Sequence, residues 1–243
     1  MAFKLKYKPF GERSILVEWP EVIDEKNLDD IIQFKARILE NNIKSIVEIK
    51  SAYNSLLIIY DSFCRNIENE VIWLKKTYKS VNKSADTVSV LWKIPVCYDE
   101  EFGIDLDVIS VEKKLSREEI IKLHSQAIYT VYFIGFLPGF LYLGGLNESL
   151  FMPRKSTPRL QIEKGSVAIG GNQTGVYPTA SPGGWNIIGN SPIDFFNPKS
   201  DPPCFAKAGD KIVFNPVSFK EYSDIKALVE AGVYQIESEV FHG

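Results

Sequence analysis

Two arginines lie close together on a segment that proline stiffens. The sequence "PRKSTPR" places Arg154 and Arg159 five residues apart, each directly after a proline. A guanidinium on a restricted backbone is suited to bidentate binding of a carboxylate or a phosphate. We therefore predict that Arg154 or Arg159 receives an anionic group. The alternative is that both are solvated side chains of a polar loop.

Large aromatic side chains alternate with glycine in the same part of the chain. Eleven of the sixteen glycines lie between residues 135 and 189, in "GFLPGFLYLGG", "GSVAIGGNQTG" and "SPGGWNIIG". Glycine permits positive φ angles and close backbone approach, and aromatic residues on turns often line a ligand site. The alternative is that these glycines only form tight corners between strands. We predict one concave site where the turns at Gly139 and Gly183-Gly184 meet four rings: Phe136, Tyr142, Tyr177 and Trp185.

His124 is the candidate proton donor or acceptor, at the end of a predicted helix. A histidine near a cationic, glycine-rich pocket can transfer protons, although a lone histidine at a helix end is more often structural. The sequence has no HExxH motif, no Walker-type loop and no serine-histidine-aspartate order of a hydrolase. We therefore expect this chain alone to catalyse no reaction.

The composition is that of an ordinary globular protein, with a net charge of −3 and no basic stripe for nucleic acid. The N-terminus lacks the apolar region of a signal peptide, and three cysteines lack metal or disulfide spacing. We expect a reduced, cytoplasmic protein without a bound metal. Residues 127–146 carry no charge, but glycines and Pro138 would break a membrane-spanning helix. The stretch therefore predicts a buried strand with turns.

The elements that must position these residues fall into two parts. The first 94 residues contain one glycine and the remaining 149 contain fifteen. Periodicity predicts two helices and a hairpin in the first part, so residues 1–87 are expected to form a small α/β domain. Short strands between turns predict a β domain over residues 88–243. Within it we expect one helix that begins at the capping box of Ser116 and a final helix that ends at Gly232.

Several motifs between residues 88 and 216 carry a family resemblance. They are "IPVCYDEEFGIDL", "YTVYFIGFLPGFLYLGGL", "PRKSTPR", "KGSVAIGGNQTGVYP", "SPGGWNIIG" and "AGDKIVF". Together they resemble the family of KipI and the B subunit of 5-oxoprolinase, also called allophanate hydrolase subunit 1. The pair "GFLPGFLYLGGL" and "YPTASPGGWNIIG" is highly specific for it.

The resemblance implies an α+β N-terminal domain followed by an all-β, cyclophilin-like barrel as the C-terminal domain. It implies one component of the ATP-dependent 5-oxoprolinase, which opens 5-oxo-L-proline to L-glutamate with ATP as co-substrate of the complex. The implied partners are a cyclophilin-like C subunit of this enzyme and its A subunit, of the LamB/YcsF family. The alternatives are KipI-like inhibition of a sensor histidine kinase and a peptide- or proline-binding barrel.

The chain departs from the family at one point that concerns anion binding. Family members usually have Arg-Thr-Pro after the tryptophan motif, where this chain has Asn190-Ser191-Pro192. The departure shifts anion binding to Arg154 or Arg159. The candidate ligand-binding residues are Phe136, Pro138, Gly139, Tyr142, Arg154, Arg159, Gln173, Thr174, Tyr177, Pro182, Gly183, Gly184 and Trp185.

Overall fold

A computed structural model describes residues 3–61, 66–80 and 88–241. Contacts divide the chain into two compact units, residues 1–87 and 88–243. That each unit is a domain in its own right stays a prediction.

The described residues of the first unit form a four-stranded antiparallel sheet, in the order β1-β2-β4-β3, together with two helices. Buried residues alternate with less buried ones along β2 and β4, as the strand pattern predicts. Its elements are β1 (Lys6–Pro9), β2 (Ser14–Glu18), α1 (Glu25–Glu40), β3 (Ile46–Ala52), β4 (Ser55–Tyr60) and α2 (Ile67–Lys79).

Helix α1 packs one apolar face into the core of the first unit. Leu28, Ile31, Phe34 and Ile38 are buried, as their spacing predicts. The sequence pattern also predicts Leu39 near this face, which is wrong, because that side chain is 57% exposed. The residue lies one position beyond Ile38, which turns it about 100° away from the core.

Over its described residues, the second unit contains an eight-stranded sheet, a two-stranded ribbon, three α-helices and a short 3-10 helix (Glu148–Leu150). The large sheet has the order β12-β9-β10-β7-β6-β13-β5-β14, and the ribbon pairs β11 with β8. Its elements are β5 (Ser89–Val96), α3 (Leu106–Lys113), α4 (Arg117–Ser125), β6 (Tyr129–Ile134), β7 (Leu141–Gly144), β8 (Arg159–Ile162), β9 (Ser166–Gly170), β10 (Gln173–Val176), β11 (Ser181–Gly183), β12 (Asn186–Asn190), β13 (Lys211–Pro216), α5 (Phe219–Glu230) and β14 (Glu237–Phe241).

The expected all-β character of the second unit is wrong, because α3, α4 and α5 belong to it. The capping box of Ser116 is confirmed at the start of α4, and α5 ends just before Gly232, which has a φ of 72°. Helix α3 is not among the predicted elements. It is only eight residues long and is held by burial of Leu106 and Ile109. The chain is therefore a mixed α/β protein.

The large sheet does not close on itself in its strand order, which runs from β12 to β14. One bridge nevertheless links the residue after β5 to the last residue of β12. The backbone groups of Cys97 and Asn190 exchange two hydrogen bonds of 2.9 Å. The cyclophilin-like barrel stays a prediction.

The uncharged stretch at residues 127–146 forms β6, a turn and β7. Tyr129, Val131, Leu141 and Leu143 are fully buried, so the prediction of a buried strand with turns is confirmed. Among the described residues, no helix is long and apolar enough to cross a membrane.

Candidate functional site

Five aromatic rings meet at one place in the second unit, with Phe140 at the centre. Its ring centroid lies 4.9 Å from that of Tyr142, 5.3 Å from Tyr177 and 5.6 Å from Trp185. Phe136 completes the cluster at 5.8 Å from Phe140. Each of the four predicted rings thus contacts Phe140, while the concave site that they were predicted to line stays a prediction. Their role in binding a ligand stays a prediction.

Glycines allow the backbone to come close to these rings. A Cβ atom on Gly183 would lie 2.3 Å from the Tyr177 hydroxyl, and one on Gly170 would lie 2.6 Å from the Trp185 ring. A side chain cannot fit at either position without displacing an aromatic residue. Gly139 differs, because a Cβ there would meet Phe195 and Phe196 instead of the cluster. The turn that contains Gly139 nevertheless carries Phe136 and Phe140, two rings of the cluster.

Phe136 projects from a turn between β6 and β7 in an unusual conformation. Its φ is 66°, which places a bulky residue in the left-handed region, and its side chain is 66% exposed. The turn is closed by hydrogen bonds from the Gly135 amide to the Phe140 carbonyl and from the Phe140 amide to the Leu137 carbonyl. Such a conformation costs on the order of 1 kcal/mol and often marks a functional turn.

Arg154 is the cation that lies against the aromatic cluster. Its guanidinium is 5.5 Å from the centroid of the Trp185 ring, within the range of a cation–π interaction. Burial raises the pKa of Tyr142 and of Tyr177, and the positive charge of Arg154 opposes both shifts. The side chain is exposed, and no carboxylate of the described residues pairs with it. Arg154 therefore keeps its charge and hydrogen-bond donors available for an anion.

Arg159 is already occupied by a carboxylate within the chain. Its two terminal nitrogens donate to Asp105 at 2.9 and 2.7 Å, in a bidentate pair. Burial alone raises the pKa of Asp105, but hydrogen bonds from Arg159, Lys155 and the Ile187 backbone outweigh it and lower that pKa. This pairing weighs against Arg159 as a free anion site.

Asp105 is a residue of the site that sequence reasoning does not single out. It is only 2% exposed and precedes α3, a helix that is also absent from the predicted elements. Its position within "IPVCYDEEFGIDL", one of the motifs of the family resemblance, was the available signal. Its partner Arg159 lies 54 positions away, so local spacing could not connect them.

The segment that carries Arg154 is fixed by hydrogen bonds on both sides of it. The side-chain amide of Asn186 donates to the Pro153 carbonyl at 3.0 Å, and the backbone amide of Lys155 donates to the Gly184 carbonyl at 2.7 Å. The Lys155 ammonium also lies 2.9 Å from Asp105. The backbone on both sides of Arg154 is thus fixed by hydrogen bonds, while its side chain is exposed.

His124 lies in the core of the second unit, fully buried. Its Nδ1 is 2.8 Å from the Tyr98 hydroxyl and its Nε2 is 2.9 Å from the Thr174 hydroxyl. Thr174 donates its own proton to the Ala168 carbonyl, so Nε2 must donate and Nδ1 must accept. Burial lowers the pKa of His124 from 6.5 to about 3. A neutral histidine with both nitrogens occupied is suited to a structural role.

The other predicted contacts vary in their position. Thr174 is buried in the His124 network, and Gln173 begins β10 half-buried. Pro138 and Pro182 are exposed, and Gly184 has room for a Cβ, whose nearest neighbour would be 3.4 Å away.

Among the described residues, no group of three or more histidine, cysteine or acidic side chains could hold a metal ion. Cys64 and His242 lie outside the described residues.

A separate groove of about 660 Å³ lies between β8, β12 and α5. Arg159 and Ile187 line it, whereas the five aromatic rings do not. Ser191 also lines the groove, and its buried hydroxyl has no hydrogen-bond partner among the described residues.

Comparison with known proteins identifies the family. Residues 5–206 match the model of the carboxyltransferase domain, subdomain C and D. A Bacillus subtilis (strain 168) protein, named as the B subunit of 5-oxoprolinase, is 35% identical over 93% of this chain and 98% of its own length. This chain belongs to the 5-oxoprolinase B-subunit family. The resemblance drawn from the motifs is therefore confirmed.

Solved structures agree with this assignment at the level of fold. A crystal structure of TTHA0988 has a TM-score of 0.74 and 30% identity, over 85% of this chain. This chain spans 40% of the length of that protein. The crystal structure of the Kluyveromyces lactis urea amidolyase has a TM-score of 0.83 at 20% identity, over 99% of this chain and 16% of that one. At this identity, the likeness shows the fold alone.

Proposed function

We propose that this chain is the B subunit of an ATP-dependent 5-oxoprolinase. With its partners it opens the lactam of 5-oxo-L-proline to L-glutamate while ATP is hydrolysed. The observation that carries this proposal is the 35% identity to the Bacillus subtilis protein of that name, which extends over 93% of this chain. The similarity covers both compact units, so it is not confined to a shared fragment.

The role proposed for this chain is to bind and orient the substrate. Arg154 supplies a charge and a planar set of donors that suit the carboxylate of 5-oxo-L-proline. The exposed ring of Phe136 suits an apolar face of a five-membered lactam, whereas the Trp185 ring is only 4% exposed and supports Arg154 from below. Holding a substrate in one orientation lowers the entropy cost of the reaction, which is a contribution that needs no nucleophile.

The reacting groups are proposed to come together only in the assembled complex. An unactivated lactam does not open readily, and coupling to ATP supplies the driving force. His124 is neutral, buried and bonded at both nitrogens, so it is poorly placed to move a proton for a bound substrate. The proposed partners are the C subunit of the enzyme and its A subunit, of the LamB/YcsF family, with ATP as co-substrate of the complex.

The proposed architecture follows the same family relationship. Residues 1–87 and 88–243 are proposed to be two domains, and the second is proposed to be a variant of the cyclophilin-like barrel. The Cys97–Asn190 bridge supports this, because it joins β5 and β12 at their ends. KipI-like inhibition of a sensor histidine kinase stays the alternative function.

Reconstitution with one component omitted at a time tests the proposed function. The chain is mixed with the two partner proteins, and both phosphate release and glutamate formation are followed after 5-oxo-L-proline is added. We expect both products only when this chain is present together with its partners. Full activity of the two partners without this chain would contradict the proposal. Inhibition of kinase autophosphorylation by a chain that supports no glutamate formation would favour the KipI-like alternative.

A further inference from the structure

One buried carboxylate holds two of the three cations on the segment that carries Arg154. Asp105 is 2% exposed and accepts hydrogen bonds from both terminal nitrogens of Arg159. The Lys155 ammonium lies 2.9 Å from the same carboxylate. Arg154 has no such partner among the described residues. Asp105 therefore pairs with Lys155 and Arg159, and the charge of Arg154 is left available for a ligand.

The same carboxylate fixes this segment to the strand behind the aromatic cluster. Oδ2 of Asp105 accepts the Ile187 amide at 2.7 Å, and the Asp105 amide donates to the Ile187 carbonyl at 2.9 Å. Ile187 lies in β12, two residues after Trp185. Asp105 thus binds two residues of the segment 153–159, Lys155 and Arg159. It also binds the backbone of β12, the strand that follows Trp185.

We propose that Asp105 is a positioning residue that holds Arg154 over Trp185 as the anion-binding group of the site. This inference rests on the proposed function, because it takes the carboxylate of 5-oxo-L-proline as the anion. Asp105 acts through Lys155 and Arg159 and does not touch the substrate. Without it, both cations are released and the segment keeps its hydrogen bonds to Asn186 and Gly184 but loses its ion pairs, so the substrate must supply more of the ordering of Arg154.

Electrostatics and positioning predict effects of opposite sign for the loss of this carboxylate. Asp105→Asn removes a negative charge next to an anion site. If only charge mattered, the variant would bind 5-oxo-L-proline more tightly and its KM would fall. If position matters, KM rises although the local charge has become more positive. A rise in KM therefore identifies the positioning role.

The experiment measures KM and kcat for 5-oxo-L-proline in the complex reconstituted with both partner proteins. The variants are Asp105→Asn, Arg154→Ala and the two combined. The matched control is Asp107→Asn, which removes another aspartate that Arg117 holds with two nitrogens, on the exposed face of α3. Thermal unfolding and co-elution with the partners confirm that each variant folds and assembles.

We expect Asp105→Asn to raise KM about 10-fold with kcat changed less than about 2-fold, and Asp107→Asn to change neither. In the Arg154→Ala background, Asp105→Asn should raise KM no further, because its effect passes through Arg154. A lowered KM, or an effect of Asp105→Asn that persists undiminished in that background, would overturn the inference while leaving the Arg154 site intact. An unchanged KM in Arg154→Ala would overturn the site and the inference together.

A second variant keeps the inference testable if Asp105→Asn does not fold. Lys155→Gln releases one of the two cations and leaves the Asp105–Arg159 pair in place. We expect a rise in KM of about 2- to 5-fold, again absent in the Arg154→Ala background. Lys164→Gln is the control, since it breaks a lysine–aspartate pair with Asp194 at the surface. Equal KM values for Lys155→Gln and its control would contradict the inference.

Discussion

The guanidinium of Arg154 lies 5.5 Å from the centroid of the Trp185 ring. The two residues are on different segments, joined by the hydrogen bond from the Lys155 amide to the Gly184 carbonyl. An uncompensated cation on an anchored backbone, next to an aromatic cluster that includes the exposed Phe136 ring, is a favourable place for an anion with an apolar body. A five-membered lactam with one carboxylate is such a molecule.

Replacement of Arg154 should weaken substrate binding without unfolding the protein. The side chain is exposed, so Arg154→Ala should change the free energy of unfolding by less than about 0.5 kcal/mol. Loss of a charge-assisted contact should raise KM for 5-oxo-L-proline by about 10- to 150-fold. Arg154→Lys keeps the charge without the planar donors, so its KM should lie between those of the wild type and Arg154→Ala. The measurement is steady-state kinetics of the assembled enzyme, with Arg13→Ala as the control at another exposed arginine. A wild-type KM in both Arg154 variants would contradict the prediction.

The two adjacent glycines of the tryptophan motif should respond differently to an added methyl group. Gly183→Ala would place a Cβ 2.3 Å from the Tyr177 hydroxyl, whereas at Gly184 the nearest atom is 3.4 Å away. Overpacking should cost Gly183→Ala about 1–3 kcal/mol, and Gly184→Ala should stay within about 0.5 kcal/mol of the wild type. Chemical unfolding measures both. Equal stabilities for the two variants would show that the Tyr177 contact is not rigid.

His124 should make stability depend on pH in a predictable direction. The folded state keeps it neutral down to a pKa of about 3, whereas in the unfolded state it protonates near 6.5. Between these values the unfolded state binds the extra proton, so stability falls as the pH is lowered and is unaffected above the higher value. From pH 7 to pH 5 this contribution amounts to about 2 kcal/mol.

Replacement of His124 should remove that contribution. The His124→Gln variant is less stable at pH 7, because buried hydrogen bonds to Tyr98 and Thr174 are perturbed. Its free energy of unfolding should change by about 2 kcal/mol less than that of the wild type between pH 7 and pH 5. The kcat of the folded, assembled variant should match the wild type. If the variant still assembles but loses turnover, the result would instead support the predicted role of His124 in proton transfer.

Local patterns predicted the elements and the aromatic cluster better than they predicted the charge network. The capping box at Ser116 and the spacing of Phe136, Tyr142, Tyr177 and Trp185 are readable from short segments. The pairing of Arg159 with Asp105 spans 54 positions and depends on how α3 packs against β12. From sequence, Arg154 and Arg159 were equivalent candidates. Only the fold shows that one of them is engaged.

The burial of His124 could not be predicted from the residues near it in the sequence either. Its partners Tyr98 and Thr174 are 26 and 50 positions away, and Phe214 stacks on its ring from β13. The sequence places a histidine at the end of α4 next to an uncharged strand. Whether such a residue faces the core or a pocket depends on the packing of several strands, which periodicity along one segment does not determine.

The proposed contact between Arg154 and the carboxylate of 5-oxo-L-proline can be tested directly by changing both partners. The affinity of the assembled enzyme, without ATP, is determined by calorimetry for 5-oxo-L-proline and for 2-pyrrolidinone, the same lactam without the carboxylate. Wild type and Arg154→Ala are compared with each ligand. We predict that Arg154→Ala weakens binding of 5-oxo-L-proline about 10-fold or more and leaves binding of 2-pyrrolidinone unchanged. Equal losses for the two ligands would contradict the account, because Arg154 would then not be binding the carboxylate.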